Sequence, residues 1–282
     1  MTLQVFPSAN NVGGGKALSE PNLRTTWAGD YNWAVYGLSL SLSGGVVTVT
    51  AGEAVMGGHL VRQSAPLATF DLAALGTNAT RFIHLKVTCD GSGNVSDAQV
   101  IHEATCNWMA GSAPTVFWLC LGRVKTSGTA ITEVVNAVHF PPHGQGFVGL
   151  ATKAEDQTLN NCAAGSNYEV AYLFLWRVMA PRPCMMKIES MLHCHTDGDR
   201  NVYAGISDDD TPNTRLIGAV MRSEGAAHWM PFNIRGYKYM AAGETLSPRV
   251  HVNPSTGPAD ITIASGSYTN LAAWMMDNTA GL

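Results

Sequence analysis

The residues best suited to chemistry are two histidines that flank a cysteine, His193-Cys194-His195, with Asp197 and Asp199 close behind. Alternate residues of a β-strand share one face, so both imidazoles are placed to reach one metal ion. If three copies of the chain met at an axis beside this strand, six imidazole nitrogens would suit iron or a neighbouring first-row metal. The motif occurs once, however, and it opens into an acidic Asp-Gly-Asp turn. We therefore expect two half-exposed histidines at a strand end and no metal or other cofactor.

A second acidic segment is the run Asp208-Asp209-Asp210, which precedes Thr-Pro. A calcium loop needs alternating oxygen ligands and a distant glutamate, so a solvated turn is the preferred interpretation of this run. The sequence contains no nucleophile elbow, zinc-protease motif, phosphate loop or dinucleotide fingerprint. We therefore expect no catalytic residue and no enzymatic activity. A glycosidase carboxylate pair leaves no local signature, so a polysaccharide-degrading protein is the enzymatic alternative.

Ligand binding is expected in four loops that mix aromatic, acidic and basic residues, because such mixtures stack on sugar rings and bind hydroxyl groups. The loops are residues 197–201, 208–215, 227–229 and 237–239. The candidate residues are Asp197, Asp199, Arg200, Asp208, Asp209, Arg215, Trp229, Tyr237 and Tyr239. The position of Trp229 between His228 and Met230 favours a core role for that residue over a binding role.

Composition limits the classes of function. The chain has 282 residues, of which 46% are hydrophobic and 13% charged, and its formal net charge is −4. A nucleic-acid-binding protein needs a basic surface, so no nucleic-acid partner is expected. No apolar run reaches about 18 residues, so no membrane insertion is expected. Low charge is also typical of a surface that is partly covered by other copies of the same chain.

The beginning and the cysteines indicate where the protein folds. Residues 1–7 lack the basic and apolar regions of a signal peptide, so we expect synthesis and folding in a cytoplasm. The six cysteines are widely spaced and form no Cys-X-X-Cys pair. In that compartment most of them are expected to be free thiols that pack as small apolar groups.

Short alternating segments separated by turn residues predict an all-β protein with two domains. Residues 1–37 are predicted to be an extended arm or attachment segment, in which 31–36 could form a helical turn. Residues 38–140 are predicted to form a small N-terminal β-domain, and 141–146 a Pro- and Gly-rich linker. Residues 147–282 are predicted to form a jelly-roll-like antiparallel β-sandwich, in which 168–178 is one long strand with large apolar groups on both faces.

The segment from Gly44 to Val61 reads as two short strands joined through glycines. It is followed by three further strand-like segments, which are Phe82-Ile-His-Leu85, Leu121-Gly-Arg-Val124 and the final one from Gly128 to Val134. This order resembles the N-terminal region of tailed-phage fibre and baseplate proteins. Residues 240–250, with Gly243-Glu244, resemble a segment of trimeric jelly rolls such as tumour-necrosis-factor-like heads, where such a turn opens a strand near the three-fold axis. Any β-sandwich can also produce such a series of strands.

The resemblance implies a virion structural protein of a tailed phage, a homotrimeric tail-fibre, baseplate or receptor-binding appendage. Its expected partners are itself, other virion proteins through residues 1–37, and a host cell-surface glycan or protein. Its expected location is the virion, after assembly in the host cytoplasm. A capsid decoration protein is the alternative within the structural class, and a polysaccharide-degrading tail tip is the alternative among enzymes.

Overall fold

The computed structural model describes residues 4–6, 32–57, 59–70, 78–90, 95–108, 115–140, 144–208, 211–224 and 228–277. Every regular element in these ranges is a β-strand, which confirms the predicted all-β class. Within the same ranges, no helix is long and apolar enough to cross a membrane.

The strands are β1 (Gln4–Phe6), β2 (Trp33–Gly37), β3 (Leu40–Ser43), β4 (Val46–Val49), β5 (Gly52–Met56), β6 (His59–Gln63), β7 (Leu67–Phe70), β8 (Thr80–Cys89), β9 (Val95–Glu103), β10 (Val116–Ser127) and β11 (Ala130–Asn136). They continue with β12 (Gln145–Lys153), β13 (Gln157–Cys162), β14 (Tyr168–Phe174), β15 (Val178–Met179), β16 (Cys184–Thr196), β17 (Asp199–Asp208), β18 (Thr211–Glu224), β19 (Met230–Met240), β20 (Thr245–Leu246), β21 (Pro248–Pro254), β22 (Ala259–Ile263) and β23 (Gly266–Asp277).

The N-terminal strands form three antiparallel sheets around one core. The sheet orders are β1-β6-β5-β2, β3-β4-β7 and β11-β10-β8-β9. Their alternation follows the sequence, since Val47 and Val49 of β4 are buried while Val46 and Thr48 are more exposed. The side chain of Asn136 at the end of β11 accepts from the Leu40 amide at 2.6 Å and donates to the Leu40 carbonyl at 3.2 Å, which joins two of the sheets.

The C-terminal strands form a β-sandwich, as predicted. One sheet has the order β12-β23-β16-β22-β13, with β19 also paired to β16, and the other has the order β14-β21-β17-β18. The core between them is a single cluster that includes Val170, Ile188, Leu192, Phe232 and Ile263. Strand β16 alternates strictly between buried and half-buried residues over thirteen positions, so one face of this central strand fills the core and the other faces outward.

Three predicted elements are wrong in detail. Residues 33–37 form strand β2 instead of a helical turn, and both β2 and β1 pair within the N-terminal domain, although they belong to the predicted arm. The segment from Gly44 to Val61 was predicted to contain two strands and contains parts of three. The additional strand, β5, begins at Gly52, where the sequence suggested a break. The predicted long strand 168–178 is divided into β14 and β15, since the register shifts between Glu169 and Phe174 and Tyr172 has a positive φ of 63°.

The N-terminal and C-terminal groups of strands, which correspond to the two predicted domains and keep those names below, meet in a packed seam. It is formed by β8, β10 and β11 on one side and by residues 177–182 and 243 on the other. Met179 packs with Cys120 and Val135, and the Val138 amide donates to the Met179 carbonyl at 3.1 Å. Arg182 is buried beside the predicted linker, where it contacts the Phe140 ring at 4.1 Å and donates to the Phe140 carbonyl. Residues 141–143 of the linker lie outside the described ranges, and β12 begins at Gln145, within the predicted linker.

Candidate interaction surface

Large exposed apolar side chains concentrate on one flank of the C-terminal sandwich, where the edge strand of each sheet lies beside the other. Phe147 and Leu150 of β12 are 60% and 58% exposed, and Tyr172 and Trp176 are 76% and 81% exposed. Phe174 lies between the last two and packs edge-on against Trp176, with ring centroids 5.4 Å apart. We call Phe147, Leu150, Tyr172, Phe174 and Trp176 the flank patch.

Irregular backbone at two edge strands places these side chains outward. The register of β12 against β23 shifts between Phe147 and Gly149, so Phe147 and Leu150 are both exposed although they are three residues apart. The positive φ of Tyr172 turns its ring out of β14 in the same way. The Lys153 ammonium lies 6.0 Å from the centre of the Tyr172 ring and donates to the Ala171 carbonyl at 3.2 Å. The Lys153 side chain therefore lies against the outward-turned Tyr172 ring and is itself held by the neighbouring backbone.

A row of side chains extends the flank patch across the face of the larger sheet. Phe147, Trp274, Lys187 and Tyr237 lie opposite one another on β12, β23, β16 and β19. The rings of Phe147 and Trp274 are 6.0 Å apart, and the Lys187 ammonium lies 4.8 Å from the centre of the Trp274 ring. The apolar surface thus turns a corner from the flank of the sandwich onto its outer face.

Two grooves border the flank patch. One is about 350 Å³ in volume and lies between β12 and β14, where it is lined by Leu150, Tyr172 and Trp176 among others. The other is about 490 Å³ and lies at the domain seam. Its lining residues are Glu133, Val134, Val135, Phe174, Trp176, Arg177, Ser247 and Arg249. Phe174 and Trp176 line both grooves, so the two form one continuous surface.

The seam groove has both polar and apolar walls, and an ion pair between the N-terminal and C-terminal strands lies in the polar part. Arg177 of the C-terminal domain donates to Glu133 Oε2 of β11 at 2.6 Å, and Arg123 of β10 pairs with the other carboxylate oxygen. The pKa of Glu133 lies below its ordinary value. Burial alone would raise it, but the hydrogen bond and charge of Arg123, the hydrogen bond of Arg177 and the charge of Lys125 outweigh that effect. Glu133 is therefore ionised at neutral pH and links the two domains.

Burial decides the charge of several other titratable groups. It lowers the pKa of His84 and of His139 to about 4, so both imidazoles are neutral at pH 7. It raises the pKa of Cys184 and of Cys194 to about 12. No disulfide bond joins any of the six cysteines, and five of them are buried. Cys184 and Cys194 are therefore protonated at neutral pH and pack as small apolar groups.

The first predicted acidic loop is held by an ion pair, a backbone hydrogen bond and strand pairing. Asp197 forms an ion pair with Arg200 at 3.5 Å, and Arg200 donates a hydrogen bond to the Thr256 carbonyl at 3.0 Å. Asp199 and Arg200 belong to strand β17 and not to a loop, because their segment pairs in register with Glu224 and Ser223 of β18. This pairing fixes the two residues in a sheet, whereas the sequence suggested an open turn.

The second predicted loop is also mostly strand. Asp208 is the last residue of β17, and its carboxylate accepts from the Ser247 amide at 3.1 Å. Arg215 lies within β18, opposite Ser207. Asp209 falls outside the described residues. Loop positions were expected here because Asp and Pro punctuate the segment, but cross-strand pairing continues on both sides of it.

The predicted aromatic residues occupy the outer face of the sandwich. Tyr237 and Tyr239 lie in β19 and not in a loop, since Met230, Phe232 and Ile234 set a strand alternation that leaves both tyrosines outside. Trp229 is 46% exposed, so the expected core role is wrong. Among the predicted ligand-binding residues whose side chains the structure describes, Tyr237 lies in the row that continues the flank patch, and Asp208 accepts from Ser247 of the seam groove.

The two histidines of the His-X-His motif share a face, as the strand period requires, but each contacts an aromatic ring. The His195 ring meets Trp229 edge-on at 4.5 Å, and the His193 ring lies 5.4 Å from Tyr268. Both project from the outer face of β16. Metal binding by these histidines would require three copies to meet at an axis beside β16. The expectation that no metal binds there stays a prediction.

The flank patch itself was missed as a site, although one signal for it was present in the sequence. The apolar residues of 168–178 fall on both faces of the predicted strand, which indicates more apolar surface than one sandwich buries. The positions of Phe147, Leu150 and Trp274 beside that segment depend on the pairing of β12 with β23, which no local pattern specifies.

Comparison with known proteins gives only coarse likenesses. No protein-family model matches the sequence, and no curated protein matches it. Among solved structures, the Eiger TNF of S. frugiperda is 9% identical with a TM-score of 0.27, and the match covers 46% of this chain and 92% of that one. A T13 viral particle of IBDV is 12% identical with a TM-score of 0.28, over 89% of this chain and 71% of that one. The Cry4Aa toxin of Bacillus thuringiensis is 8% identical with a TM-score of 0.25, over 98% of this chain and 57% of that one. These are generic all-β likenesses and carry no argument about function.

Proposed function

We propose that this protein is a virion structural protein, a homotrimeric appendage of the tailed-phage type that assembles through the flank patch and mediates attachment to the host. The observation that supports the proposal is the flank patch, together with Trp274 and Tyr237, which continue it across the sheet on either side of Lys187. Such a surface is unusual on an isolated soluble domain and is typical of a contact between protein chains.

The area of this surface fits a protein interface. An aromatic side chain has roughly 150–250 Å² of surface, so the exposed fractions of Trp176, Tyr172 and Phe147 amount to roughly 430 Å². Leu150 and Tyr237, which are 58% and 53% exposed, extend this area. The largest apolar patch on a typical monomer is roughly 300–600 Å² and is often functional. A second copy of the chain is the occupant that we propose.

The shape of the surface favours a ring over a two-fold dimer. Because the apolar surface turns a corner from the flank to the sheet face, the flank of one copy fits against the face of the next copy. A contact of this kind joins two different surfaces of neighbouring copies. It generates a closed ring when the rotation from one copy to the next is a whole fraction of a full turn. Three copies would then present their remaining surfaces together, so weak contacts to a host surface add through avidity.

The oligomeric state of purified protein tests the assembly part of this proposal. Light scattering after gel filtration should give the mass of three 30.0 kDa chains. A Tyr172→Ser/Trp176→Ser variant should dissociate to monomers, since it removes the two most exposed aromatic side chains of the flank patch. A Tyr36→Ser variant is the matched control, because Tyr36 is 56% exposed but lies in the N-terminal domain. A stable monomer at micromolar concentration, or equal effects of the two changes, would refute this assembly.

The location in a virion is tested separately. Antibody labelling of purified particles from a host that produces the protein should mark a discrete appendage. Label on the capsid shell would instead favour the decoration-protein alternative, and the absence of label from particles would refute the virion assignment. Incubation of the trimer with host cells or with their purified glycans tests attachment.

A further inference from the structure

Two residues on the outer face of the N-terminal sheet are buried against the pattern of their strands. His84 of β8 and Cys120 of β10 lie directly opposite each other in the antiparallel pairing. The alternation of β8 places Ile83, Leu85 and Val87 in the domain core, so His84 projects from the other face, yet it is fully buried. The register shifts between Cys120 and Gly122, immediately beside this pair. Shifts of this kind commonly redirect a side chain at a functional position.

A third potential ligand comes from the segment that follows β9. One ring nitrogen of His84 and the sulfur atoms of Cys106 and Cys120 all lie within 4.8 Å of one another. In the part of the chain that the structure describes, this is the one place where three such groups meet. Tetrahedral Zn²⁺ with ligands at about 2.0–2.3 Å separates its donor atoms by roughly 3.5–3.8 Å. A contraction of about 1 Å would therefore bring the three groups into ligand positions.

The two thiols make only long contacts with backbone carbonyl groups, whereas the histidine accepts one ordinary hydrogen bond. The Cys106 thiol lies 3.7 Å from the Pro181 carbonyl, and the Cys120 thiol lies 3.9 Å from the Gly122 carbonyl. The Nε2 atom of His84 accepts from the Asn107 amide at 3.0 Å. In a neutral imidazole this assigns the free electron pair to Nε2, beside the Cys106 segment. That is the form of histidine that binds a metal, which would replace the Asn107 amide as its partner.

We propose that His84, Cys106 and Cys120 form a binding site for a thiophilic divalent cation, of which Zn²⁺ is the best fit. Two thiolates and one imidazole are a preferred ligand set of Zn²⁺, and a water molecule or a fourth protein group would complete the tetrahedron. Binding displaces one proton from each thiol, and the two negative thiolates neutralise the two positive charges of the ion. This site is independent of the oligomeric state and of the His193-X-His195 motif.

The location of the site suggests that the ion braces the domain seam. All three ligands belong to the N-terminal domain, but C-terminal residues cover them, since Met179 packs on Cys120 and the Pro181 carbonyl faces Cys106. Gly243 approaches so closely that an added Cβ atom would lie 2.9 Å from the Cβ of Cys106. An ion that fixes Cys106 therefore also fixes the surface on which the C-terminal domain packs.

Titration of the full-length chain with Co²⁺ under reducing conditions tests the proposal, because tetrahedral thiolate coordination gives Co²⁺ strong visible and near-ultraviolet absorption. We expect one equivalent to bind and to be displaced by Zn²⁺, and Zn²⁺ to raise the unfolding temperature. Cys106→Ser and Cys120→Ser should each lower the affinity more than about 100-fold. The matched controls are Cys162→Ser, which removes a buried thiol elsewhere, and His193→Ala/His195→Ala, and both should keep the wild-type affinity.

Circular dichroism of each variant separates loss of binding from loss of folding. Cys106 is half-buried and lies outside any strand, so Cys106→Ser is the variant expected to keep the fold. No stoichiometric binding by the wild-type chain would overturn the proposal. Undiminished affinity in a folded Cys106→Ser variant, or an equal loss in Cys162→Ser, would also overturn it.

Discussion

Replacement of Gly243 by alanine should destabilise the protein through two separate effects. Gly243 lies in the turn between β19 and β20 with a φ of +79°, where a residue with a side chain is strained by roughly 1 kcal/mol. An added Cβ atom would also lie 2.8 Å from the Phe82 ring and 2.9 Å from the Cys106 Cβ. Inserting a methyl group into packed surroundings costs about 1–3 kcal/mol. The expected loss is therefore about 2–4 kcal/mol.

Gly165 provides a control that separates the two effects. It lies in the turn between β13 and β14 with a φ of +77°, and an added Cβ atom there meets nothing within 4 Å. Gly165→Ala should consequently lose only the backbone part, roughly 1 kcal/mol. The difference between the two variants then measures the steric contact at the domain seam.

Equilibrium denaturation, followed by circular dichroism, is the appropriate assay. The three proteins are compared at one protein concentration, since self-association would shift the apparent stability. A midpoint change without a change of slope gives the difference in the free energy of unfolding. Losses that agree within about 0.5 kcal/mol would refute the close packing of the Gly243 turn on Phe82 and Cys106.

Three further predictions concern charge, core packing and domain separation. Glu133→Gln should cost about 2 kcal/mol at pH 7, between the values for exposed and buried ion pairs. Because the native pKa of Glu133 is lowered, its contribution is complete above the unfolded pKa of about 4.3 and is lost as the pH falls from there through the folded pKa. The difference between variant and wild type should therefore be constant above about pH 5 and shrink as the pH falls below about 4. A difference that keeps its full size well below about pH 4 would contradict this assignment. Phe232→Ala should lower the free energy of unfolding by about 3–5 kcal/mol, because it leaves a cavity in the core. Asn233→Ala on the outer face is the control and should change it by no more than about 0.5 kcal/mol. Similar losses in the two variants would count against the assigned strand faces. Limited proteolysis should cut within residues 140–146 and leave a folded fragment that begins near Phe147, and an unfolded fragment would argue against separable domains.

Much of the fold could be predicted from the sequence wherever the information is local. Strand β16 shows its alternation in the sequence from Cys184 to Thr196, and β4 does so with Val47 and Val49. By contrast, β12 and β13 were not predicted, because the glycines and polar residues of 145–162 dilute the alternation. The irregular conformation at Tyr172 is set by its neighbours in space, and no period reveals it.

The candidate sites could be predicted less well than the fold, and the reason is physical. The His193-X-His195 motif is visible because its two histidines are neighbours in sequence. The group formed by His84, Cys106 and Cys120 is not visible, since only the pairing of β8 with β10 and a shift in register bring it together. The flank patch likewise requires knowledge of which strands are edges. Sequence analysis therefore indicates local motifs well and non-local assemblies poorly.

The pairing of β12 with β23 has a consequence for synthesis on the ribosome. The N-terminal sheets contain no residue beyond Asn136, so this domain can fold while the rest of the chain is still being translated. Strand β12, in contrast, must wait for Gly266–Asp277 to emerge, more than a hundred residues later. Until then a nascent chain exposes unpaired apolar strands beside a finished domain. Slow translation or a missing chaperone should therefore cause aggregation of the C-terminal half, while the N-terminal half remains native.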